Sequence, residues 1–389
     1  MKPFDKLTPE IIHSFETLKT PCFVLDERVL KENGKLLKKV QEDTNCKILL
    51  AQKAFSNYDL YPVIEPYCAG SEASGLYEAR LGKEEMGNKE VHVFSAAYRQ
   101  DELEELVKYA DHVVFNTPHQ LKKYGKLVKE KGCSIGLRIN PEISTQDHGM
   151  YDPCAPGSRL GSTKELIASE MDEESLSLLD GIHFHTLCEQ NSDALEVTLK
   201  VVMEKFDDIL RHVKWINMGG GHHITRDDYD IERLESCINL VKNTYNIDVY
   251  LEPGEAWAMN AGYLCTRVLD TFKNGETNIA LVDMSPTCHT PDVLEVPYTP
   301  PLYQEGGSYV YRIGGPSCLS GDIMGDYAFN HVVEEDELLI FGDMAIYSTC
   351  KTNTFNGMPL PSIYVLKEEG KIELLKSFDY NDFKYRLGS

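Results

Sequence analysis

Short apolar runs alternate with amphipathic segments along the chain as far as residue 253. The runs have the length and composition of buried β-strands, and they are KILLAQKAF (47–55), VHVFSA (91–96), HVVFN (112–116), SIGLRIN (134–140), GIHFHT (181–186), WINMGG (215–220) and DVYLEP (248–253). Helical periodicity fills the segments 101–110, 119–132, 192–213 and 232–245. Strands that alternate with helices indicate parallel βαβ units, and their number favours a (β/α)₈ barrel over an open sheet.

The pattern changes after about residue 265 into short β-rich runs separated by Gly, Pro and Asn, which predict an antiparallel β domain. The runs are CTRVLDTF, NIALVDMS, SYVYRIGG, ELLIFGD, SIYVLKEE and KIELLKS. The early strand CFVLDE (22–27) precedes the first barrel helix and is expected to join that sheet. We therefore expect an α/β barrel domain over 31–265 and a β domain built from 1–30 and 266–389.

Composition narrows the class of protein. A formal net charge of −23 opposes binding to nucleic acid or anionic lipid and attracts cations, although solubility alone also explains it. No apolar run approaches the roughly 20 residues of a membrane helix, and the start MKPFDKLTPEII lacks the pattern of a secretory signal. Eleven Cys without a CxxC pair argue against a disulfide framework and a structural zinc site. We expect a cytoplasmic protein.

Three motifs stand where predicted barrel strands end, the position at which a barrel carries its chemistry. Lys53, in AQKAFS, is either a lysine that forms an imine or a lysine that reaches the surface. Gly219, Gly220 and Gly221 form either a phosphate-binding loop or a plain turn. Glu252, in EPGEA, is either a partner for a pyridine nitrogen or an acidic loop residue before a turn.

Two further motifs carry reactive side chains. His183 and His185 share one face of a strand, so that one of them is placed to stack on a cofactor ring. They would also suit a metal pair, but no third ligand has suitable spacing, and we expect no metal. Cys318, in GGPSCLSGD, is either a proton donor or nucleophile or an inert thiol, and Asp322 lies nearby in the same loop.

The order of these motifs resembles the alanine racemase-like, fold-type III enzymes, which use pyridoxal 5′-phosphate (PLP). Within that group, GPSC followed by GDMAIYSTCKTNTFNG (342–357) is similar to the ornithine and diaminopimelate decarboxylases. Longer strings are similar to carboxynorspermidine/carboxyspermidine decarboxylases, namely INPE (139–142), YDPCAPGSRLG (151–161), HFHTLCEQ (183–190), EPGEA, HTPDVLEVPY (289–298) and CLSGD (318–322). The resemblance covers nearly the whole chain and implies decarboxylation of carboxyspermidine or carboxynorspermidine.

The resemblance also assigns roles. It implies that Lys53 carries PLP, that His185 stacks on the ring, that Glu252 pairs with the pyridinium, and that the three glycines hold the phosphate. It places Arg138 beside the cofactor and Tyr347 at the phosphate. It implies that Cys318 is a catalytic cysteine contributed across a homodimer interface with shared active sites.

Two departures bear on the substrate. The ornithine and diaminopimelate decarboxylases follow EPG with Arg and the cysteine with an acidic residue, whereas this chain has Glu255 and Leu319. A carboxylate in place of a cation favours a substrate with additional ammonium groups. We expect Glu255, Asp292 and Asp322 to bind a small cationic, polyamine-like substrate.

Two other functions remain open on sequence alone. One is a diaminopimelate or ornithine-type decarboxylase, against which EPGE argues, and the other is a non-catalytic PLP-binding regulator. The two favoured substrates differ by one methylene, a difference worth only about 1–3 kcal/mol, so the sequence does not rank them.

Overall fold

The structure is a computed structural model that describes residues 2–146 and 152–388. Tyr151, with which the string YDPCAPGSRLG begins, lies outside the described residues. The strands are β1 (Cys22–Asp26), β2 (Lys47–Ala51), β3 (Gly70–Ala73), β4 (Glu90–Phe94), β5 (His112–Phe115), β6 (Ser134–Arg138), β7 (Gly181–His183), β8 (Trp215–Asn217), β9 (Asp248–Leu251), β10 (Gly262–Asn274), β11 (Thr277–Val282), β12 (Tyr309–Gly314), β13 (Ile323–Phe329), β14 (Leu338–Gly342), β15 (Ser362–Leu366) and β16 (Ile372–Lys376).

The helices complete the alternation that the sequence predicts. They are α1 (Pro9–Phe15), α2 (Glu27–Thr44), α3 (Tyr61–Ile64), α4 (Leu76–Glu85), α5 (Gln100–Leu106), α6 (Pro118–Glu130), α7 (Lys164–Glu170), α8 (Glu173–Leu178), α9 (Ser192–Lys205), α10 (Asp207–Leu210), α11 (Ile231–Tyr245), α12 (Glu255–Ala258), α13 (Pro286–His289), α14 (Asp292–Glu295) and α15 (Tyr380–Lys384). None of the helices in the described ranges combines the length and apolar character that crossing a bilayer requires.

Strands β2 to β9 close into a parallel barrel in chain order, which confirms the predicted barrel. β3 was missing from the predicted strands, because its sequence GSEA contains no apolar run. At the end where the strands begin, the barrel is filled by an aromatic cluster around Trp215, whose indole N–H donates to Ser134 Oγ at 2.8 Å. Glycine at position 181 makes room for this ring, since a Cβ there would lie 2.0 Å from the indole.

The barrel helices begin and pack as their sequences predict. In α6, Thr117 Oγ1 accepts the N–H of Gln120 at 3.2 Å and Pro118 occupies the first turn, two features of a helix start. Leu121 and Val128 then bury one face of the helix. Apolar residues at this spacing fix the helix against the barrel, and the barrel in turn sets the ends of the strands that carry the candidate site.

The second sheet has the order β13-β12-β11-β10-β1-β15-β16, with β14 also paired to β10. It is mixed rather than purely antiparallel, because β1 runs parallel to β15 and β11 runs parallel to β12. A parallel pair needs a crossover connection, and the segment with α13 and α14 supplies one between β11 and β12. The prediction of an antiparallel domain is corrected in this respect. One face of the sheet buries an apolar cluster that includes Phe23, Leu264 and Phe341.

The chain divides into two compact units. The sheet unit comprises the chain up to Glu32, Ala54–Asp59 and the chain from Ala258, whereas the barrel unit comprises Asn33–Lys53 and Leu60–Trp257. The boundary that we placed at residue 265 falls inside β10, since this strand already pairs with β1 and β14 from Gly262 and Tyr263 onward.

Candidate active site

The barrel unit gathers most of the predicted site residues at the ends of its strands. Arg138 is the last residue of β6, and Glu252 directly follows β9. Lys53 and His185 each stand two residues beyond a strand, after β2 and β7. Because the carboxyl ends of parallel barrel strands lie at one end of the barrel, these side chains share the end at which barrel enzymes carry out catalysis.

Glu252 is buried and held by two donors. Asn217 Nδ2 donates to Oε1 at 2.5 Å, and His183 Nε2 lies 3.0 Å from Oε2. Burial alone would raise the pKa of Glu252, but the contact with His183 and the positive charge of Lys53 hold the pKa below its ordinary value. The result is an ionised carboxylate in a buried setting, which suits a partner that carries an N–H.

His185 is a neutral imidazole. Burial, followed by the charges of Lys53 and Arg138, holds the pKa of His185 well below its ordinary value. Its Nδ1 accepts the N–H of Gly220 at 2.9 Å, which places the proton of the neutral ring on Nε2. Arg138 Nη2 donates to the His185 carbonyl at 3.2 Å, so the backbone beside the ring is also fixed. A neutral ring fixed from two sides is suited to lie flat against an aromatic cofactor.

Arg138 also takes part in a stacked column. Its guanidinium lies 4.5 Å from the centre of the Phe94 ring, and Phe94 stacks on His183 with ring centres 5.5 Å apart. Burial lowers the pKa of Arg138 to about 10, against the opposing effect of Glu252. The guanidinium therefore keeps its positive charge at neutral pH.

The loop Gly219–Gly221 follows β8, and each of its residues has to be glycine for steric reasons. A Cβ at these three positions would lie 2.4, 2.4 and 2.1 Å from backbone oxygens of neighbouring segments. Gly219 and Gly221 also have left-handed φ angles of +73° and +78°. The Gly219 N–H donates to Asn217 Oδ1 at 2.9 Å. The loop thus packs directly against the residues that hold Glu252 and His185.

Lys53 is half-buried and acts electrostatically on His183, His185 and Glu252. The chemistry of this set fits PLP: an amine for the aldehyde, an ionised carboxylate for the pyridinium, a neutral imidazole for the ring face, and a glycine loop for a phosphate. Among the predicted residues of the barrel unit, these are the ones that the structure brings together.

Glu255 stands apart from this set. It opens α12, and its carboxylate forms a short hydrogen bond with His223 Nε2. Both side chains are mostly buried. A substrate ammonium would therefore have to share the carboxylate of Glu255 with His223.

Asp322 lies in the sheet unit, and its carboxylate is occupied by hydrogen bonds. The residue is 3% exposed, and both carboxylate oxygens accept from Ser285 Oγ, at 2.8 and 2.9 Å. The N–H groups of Thr287 and Ser317 donate to the same carboxylate at 2.9 and 3.3 Å. The buried carboxylate anchors the loop that carries Cys318, and substrate binding by Asp322 stays a prediction.

The other predicted residues of the sheet unit lie on loops. Cys318 is exposed, and its N–H donates to Asn356 Oδ1 at 2.8 Å. Tyr347 has a left-handed φ of +46°, a conformation that is uncommon for residues other than glycine. Asp292 is paired with Lys351, whose Nζ lies 2.6 Å away. The carboxylate of Asp292 is therefore already matched by a cation.

The sequence reading missed two residues of the barrel site. Asn217 was counted only as part of a strand, although it links Glu252 to the glycine loop. His183 was recognised as facing the same way as His185, but its hydrogen bond to Glu252 was not predicted. The sequence did contain a signal for both residues, because each is the last residue of its strand. The two strands are adjacent in the barrel, and His183 is paired with Asn217.

The comparisons with known proteins agree with this geometry. The family described as "Pyridoxal-dependent decarboxylase, C-terminal sheet domain" matches residues 22–345. A carboxynorspermidine/carboxyspermidine decarboxylase of Campylobacter jejuni is 36% identical over 387 residues, which cover 96% of this chain and 99% of the relative. A carboxyaminopropylagmatine decarboxylase of Synechocystis is 38% identical, with 96% of each chain covered.

Solved structures give the same result. The structure of carboxynorspermidine decarboxylase from Campylobacter jejuni, complexed with norspermidine, has a TM-score of 0.86 and 35% identity, and the match covers 95% of this chain and 100% of that one. A diaminopimelate decarboxylase from Helicobacter pylori has a TM-score of 0.83 at 18% identity, which shows a shared fold. The predicted resemblance is confirmed: this chain belongs to the pyridoxal-dependent decarboxylases, in the branch of the carboxynorspermidine/carboxyspermidine decarboxylases.

Proposed function

We propose that this protein decarboxylates carboxynorspermidine, carboxyspermidine or both, and so produces norspermidine or spermidine in the cytoplasm. The observation that carries the proposal is the near full-length similarity to relatives with this activity, combined with a barrel end that fits PLP. Diaminopimelate decarboxylases are also related, but at only 23–25% identity. This difference and EPGE in place of EPGR favour the triamine substrates.

In this proposal each residue at the barrel end has a task. Lys53 binds the cofactor covalently, Glu252 accepts the N–H of its ring nitrogen, and His185 covers one ring face. The bound cofactor supplies an electron sink for the carbon that loses CO₂. Arg138 fixes the backbone at His185, and the Gly219–Gly221 loop and Tyr347 hold the phosphate.

The proposal also includes a homodimer in which the loop of Cys318 serves the partner's site. Cys318 is exposed on a loop that the buried carboxylate of Asp322 holds in place, so a fixed loop carries an accessible thiol. It would return a proton to the substrate carbon after CO₂ leaves. Glu255 and Asp292 remain candidates for binding substrate amines.

A second substrate has a specific observation in its favour. The relative that acts on carboxyaminopropylagmatine is 38% identical over 96% of this chain. That substrate ends in a guanidinium group, whereas the two triamine substrates end in an ammonium group. A planar guanidinium can bind one carboxylate through two parallel hydrogen bonds, which an ammonium cannot do.

The test is release of CO₂ by the PLP-loaded enzyme from carboxynorspermidine, carboxyspermidine, carboxyaminopropylagmatine, meso-diaminopimelate and ornithine, compared as kcat/KM. The proposal expects the highest value for one of the first two compounds and none with Lys53→Ala. Preference for carboxyaminopropylagmatine would establish the second candidate. Faster turnover of diaminopimelate or ornithine, or PLP binding without turnover of any compound, would refute both.

A further inference from the structure

Glu72 is a buried carboxylic acid in the barrel unit to which the proposed function assigns no role. It lies in β3, between Ala51 of β2 and His92 of β4 in the strand register. The residue is 4% exposed, and its Oε2 has no hydrogen-bond partner among the described residues. A buried carboxylate oxygen without a donor is costly. The protonation state of Glu72 is therefore the question that this position raises.

Glu72 shares its surroundings with Glu252, and each carboxyl raises the cost of ionising the other. Two interacting carboxyls in one buried site do not both ionise at neutral pH, and the proton goes to the one with the weaker hydrogen bonds. Glu252 receives Asn217 Nδ2 at 2.5 Å and His183 Nε2 at 3.0 Å. Among the described residues, no comparable pair of donors faces Glu72, so the geometry directs the proton to Glu72.

Charged and titratable groups from several neighbouring elements surround Glu72, including His92, its neighbour on β4. Burial has the largest effect and raises its pKa, and the negative charges of Glu252 and Glu78 act in the same direction. Lys53, after β2, and Arg138, at the end of β6, oppose them. Tyr98, between β4 and α5, remains a neutral phenol because burial raises its own pKa. The balance raises the pKa of Glu72 to about 8.

We propose that Glu72 is a positioning residue that carries a proton at neutral pH, so that Glu252 is the one ionised member of this carboxyl pair. When Glu72 loses its proton at alkaline pH, both carboxyls are ionised, and the second negative charge changes the electrostatic setting in which Glu252 accepts the N–H of the ring nitrogen. This effect on the reaction rests on the proposed function, but the protonation of Glu72 does not. The two are therefore tested separately.

The first test uses cofactor-free protein. Between the ordinary pKa of 4.5 and the folded value of about 8, the unfolded chain releases a proton that folded Glu72 keeps, so its contribution to stability falls as pH rises through this window. Glu72→Gln removes this dependence. We expect the Tm of Glu72→Gln minus that of the wild type to increase by at least a few degrees across the window and then to level off.

Glu85→Gln is the matched control. Glu85 is an exposed residue at the end of the neighbouring helix α4, and this variant should keep the wild-type pH dependence of Tm. If the Glu72→Gln difference is flat across the window, Glu72 is ionised in the folded protein and the proposal fails.

A second measurement needs no variant. Infrared spectra of wild-type protein labelled with ¹³C at its glutamate carboxyls should show the C=O band of a protonated acid at pH 7, which disappears with a midpoint near 8. Loss of every glutamate band by pH 6 would overturn the proposal even if Glu72→Gln does not fold.

The third test uses the loaded enzyme. The alkaline limb of the kcat/KM profile should move upward by a pH unit or more in Glu72→Gln and stay in place in Glu85→Gln. An unmoved limb would remove the role in the reaction. Absence of any turnover in the wild type would instead refute the proposed function while leaving the stability and infrared results to decide the protonation of Glu72.

Discussion

Asn217 is the residue through which the glycine loop and the Glu252 carboxylate are linked, and its replacement tests the site most directly. The side chain is fully buried at the end of β8. Its Nδ2 donates to Glu252 Oε1 at 2.5 Å, and its Oδ1 accepts the Gly219 N–H at 2.9 Å. Asn217→Ala removes both hydrogen bonds at once and leaves the Gly219 N–H without this acceptor.

The magnitude follows from the two bonds. A hydrogen bond to a charged group contributes about 1.5–3 kcal/mol, and one between neutral groups about 1 kcal/mol. We therefore expect Asn217→Ala to lower the free energy of unfolding by about 2–4 kcal/mol. Loss of a donor to Glu252 also raises the pKa of that carboxylate and weakens its bond to the ring nitrogen. Each 1.4 kcal/mol lost in this way raises the Kd for PLP about tenfold.

The assay is a double-mutant cycle of Asn217→Ala and Glu252→Gln, read by urea unfolding of cofactor-free protein and by PLP binding. Contacting residues of one network should give a coupling of at least about 0.5 kcal/mol. Asn116→Ala is the matched control, because Asn116 is another buried asparagine with two backbone bonds, to Arg159 and Gly161. Asn116→Ala should destabilise the barrel, and its effect on the free energy of unfolding should simply add to that of Glu252→Gln. If Asn217→Ala is equally additive in both assays, the link between loop and carboxylate is refuted.

Three further predictions concern the loops. The Cβ of Gly220→Ala would lie 2.4 Å from a backbone oxygen, so this variant should bind PLP at least tenfold more weakly. The Cβ of the control Gly75→Ala would meet no atom within 4 Å, so its Kd for PLP should not change. Equal Kd values for the two variants would contradict the steric argument. Asp322→Asn should lower the free energy of unfolding by about 1–3 kcal/mol, because an amide NH₂ replaces a carboxylate oxygen that accepts hydrogen bonds. An unchanged urea unfolding curve would contradict the role of Asp322 as an anchor of the loop. If each active site contains residues of both subunits of a two-fold dimer, mixing Lys53→Ala subunits with Cys318→Ala subunits should restore up to about a quarter of the wild-type activity. Mixed dimers that form but show no activity would exclude shared sites.

The sequence predicted the barrel because seven of its strands carry apolar runs, but two strands of the fold gave no such signal. β3 reads GSEA, and its residues are buried by neighbours on both sides rather than selected by hydrophobicity. β13 reads IMGDYAF, in which Gly-Asp is typical of a turn. It pairs instead with β12, where Arg312 and Asp326 form a two-bond ion pair across the strands. Both segments therefore form strands because they pair with distant parts of the chain, and the local sequence does not show this.

The sequence predicts site residues whose side chains are reactive or charged in themselves. It predicts less well the residues whose role depends on which side chains the fold places beside them. Lys53, His185 and Glu252 stood out because an amine, an imidazole and a carboxylate occur at strand ends. Asn217 did not, since an asparagine acquires its role only from what the adjacent strands place beside it. Asp322 shows the opposite case. An acidic residue near a reactive thiol suggested substrate binding, whereas its burial and four hydrogen bonds show a structural role as an anchor that the sequence did not predict.

The charges at the barrel end bear on the proposed preference for a polycationic substrate. With Glu72 protonated, the formal charges of Lys53 and Arg138 are balanced by those of Glu252 and Glu255. The resemblance implies Arg at the position of Glu255 in the ornithine and diaminopimelate decarboxylases, where a cation would offset part of the charge of a bound phosphate. Here a bound phosphate leaves the barrel end negative, which favours a substrate with several ammonium groups over one with a single distal amine. The pairing of Glu255 with His223 limits this effect, because the imidazole already occupies part of the carboxylate that would bind an ammonium group.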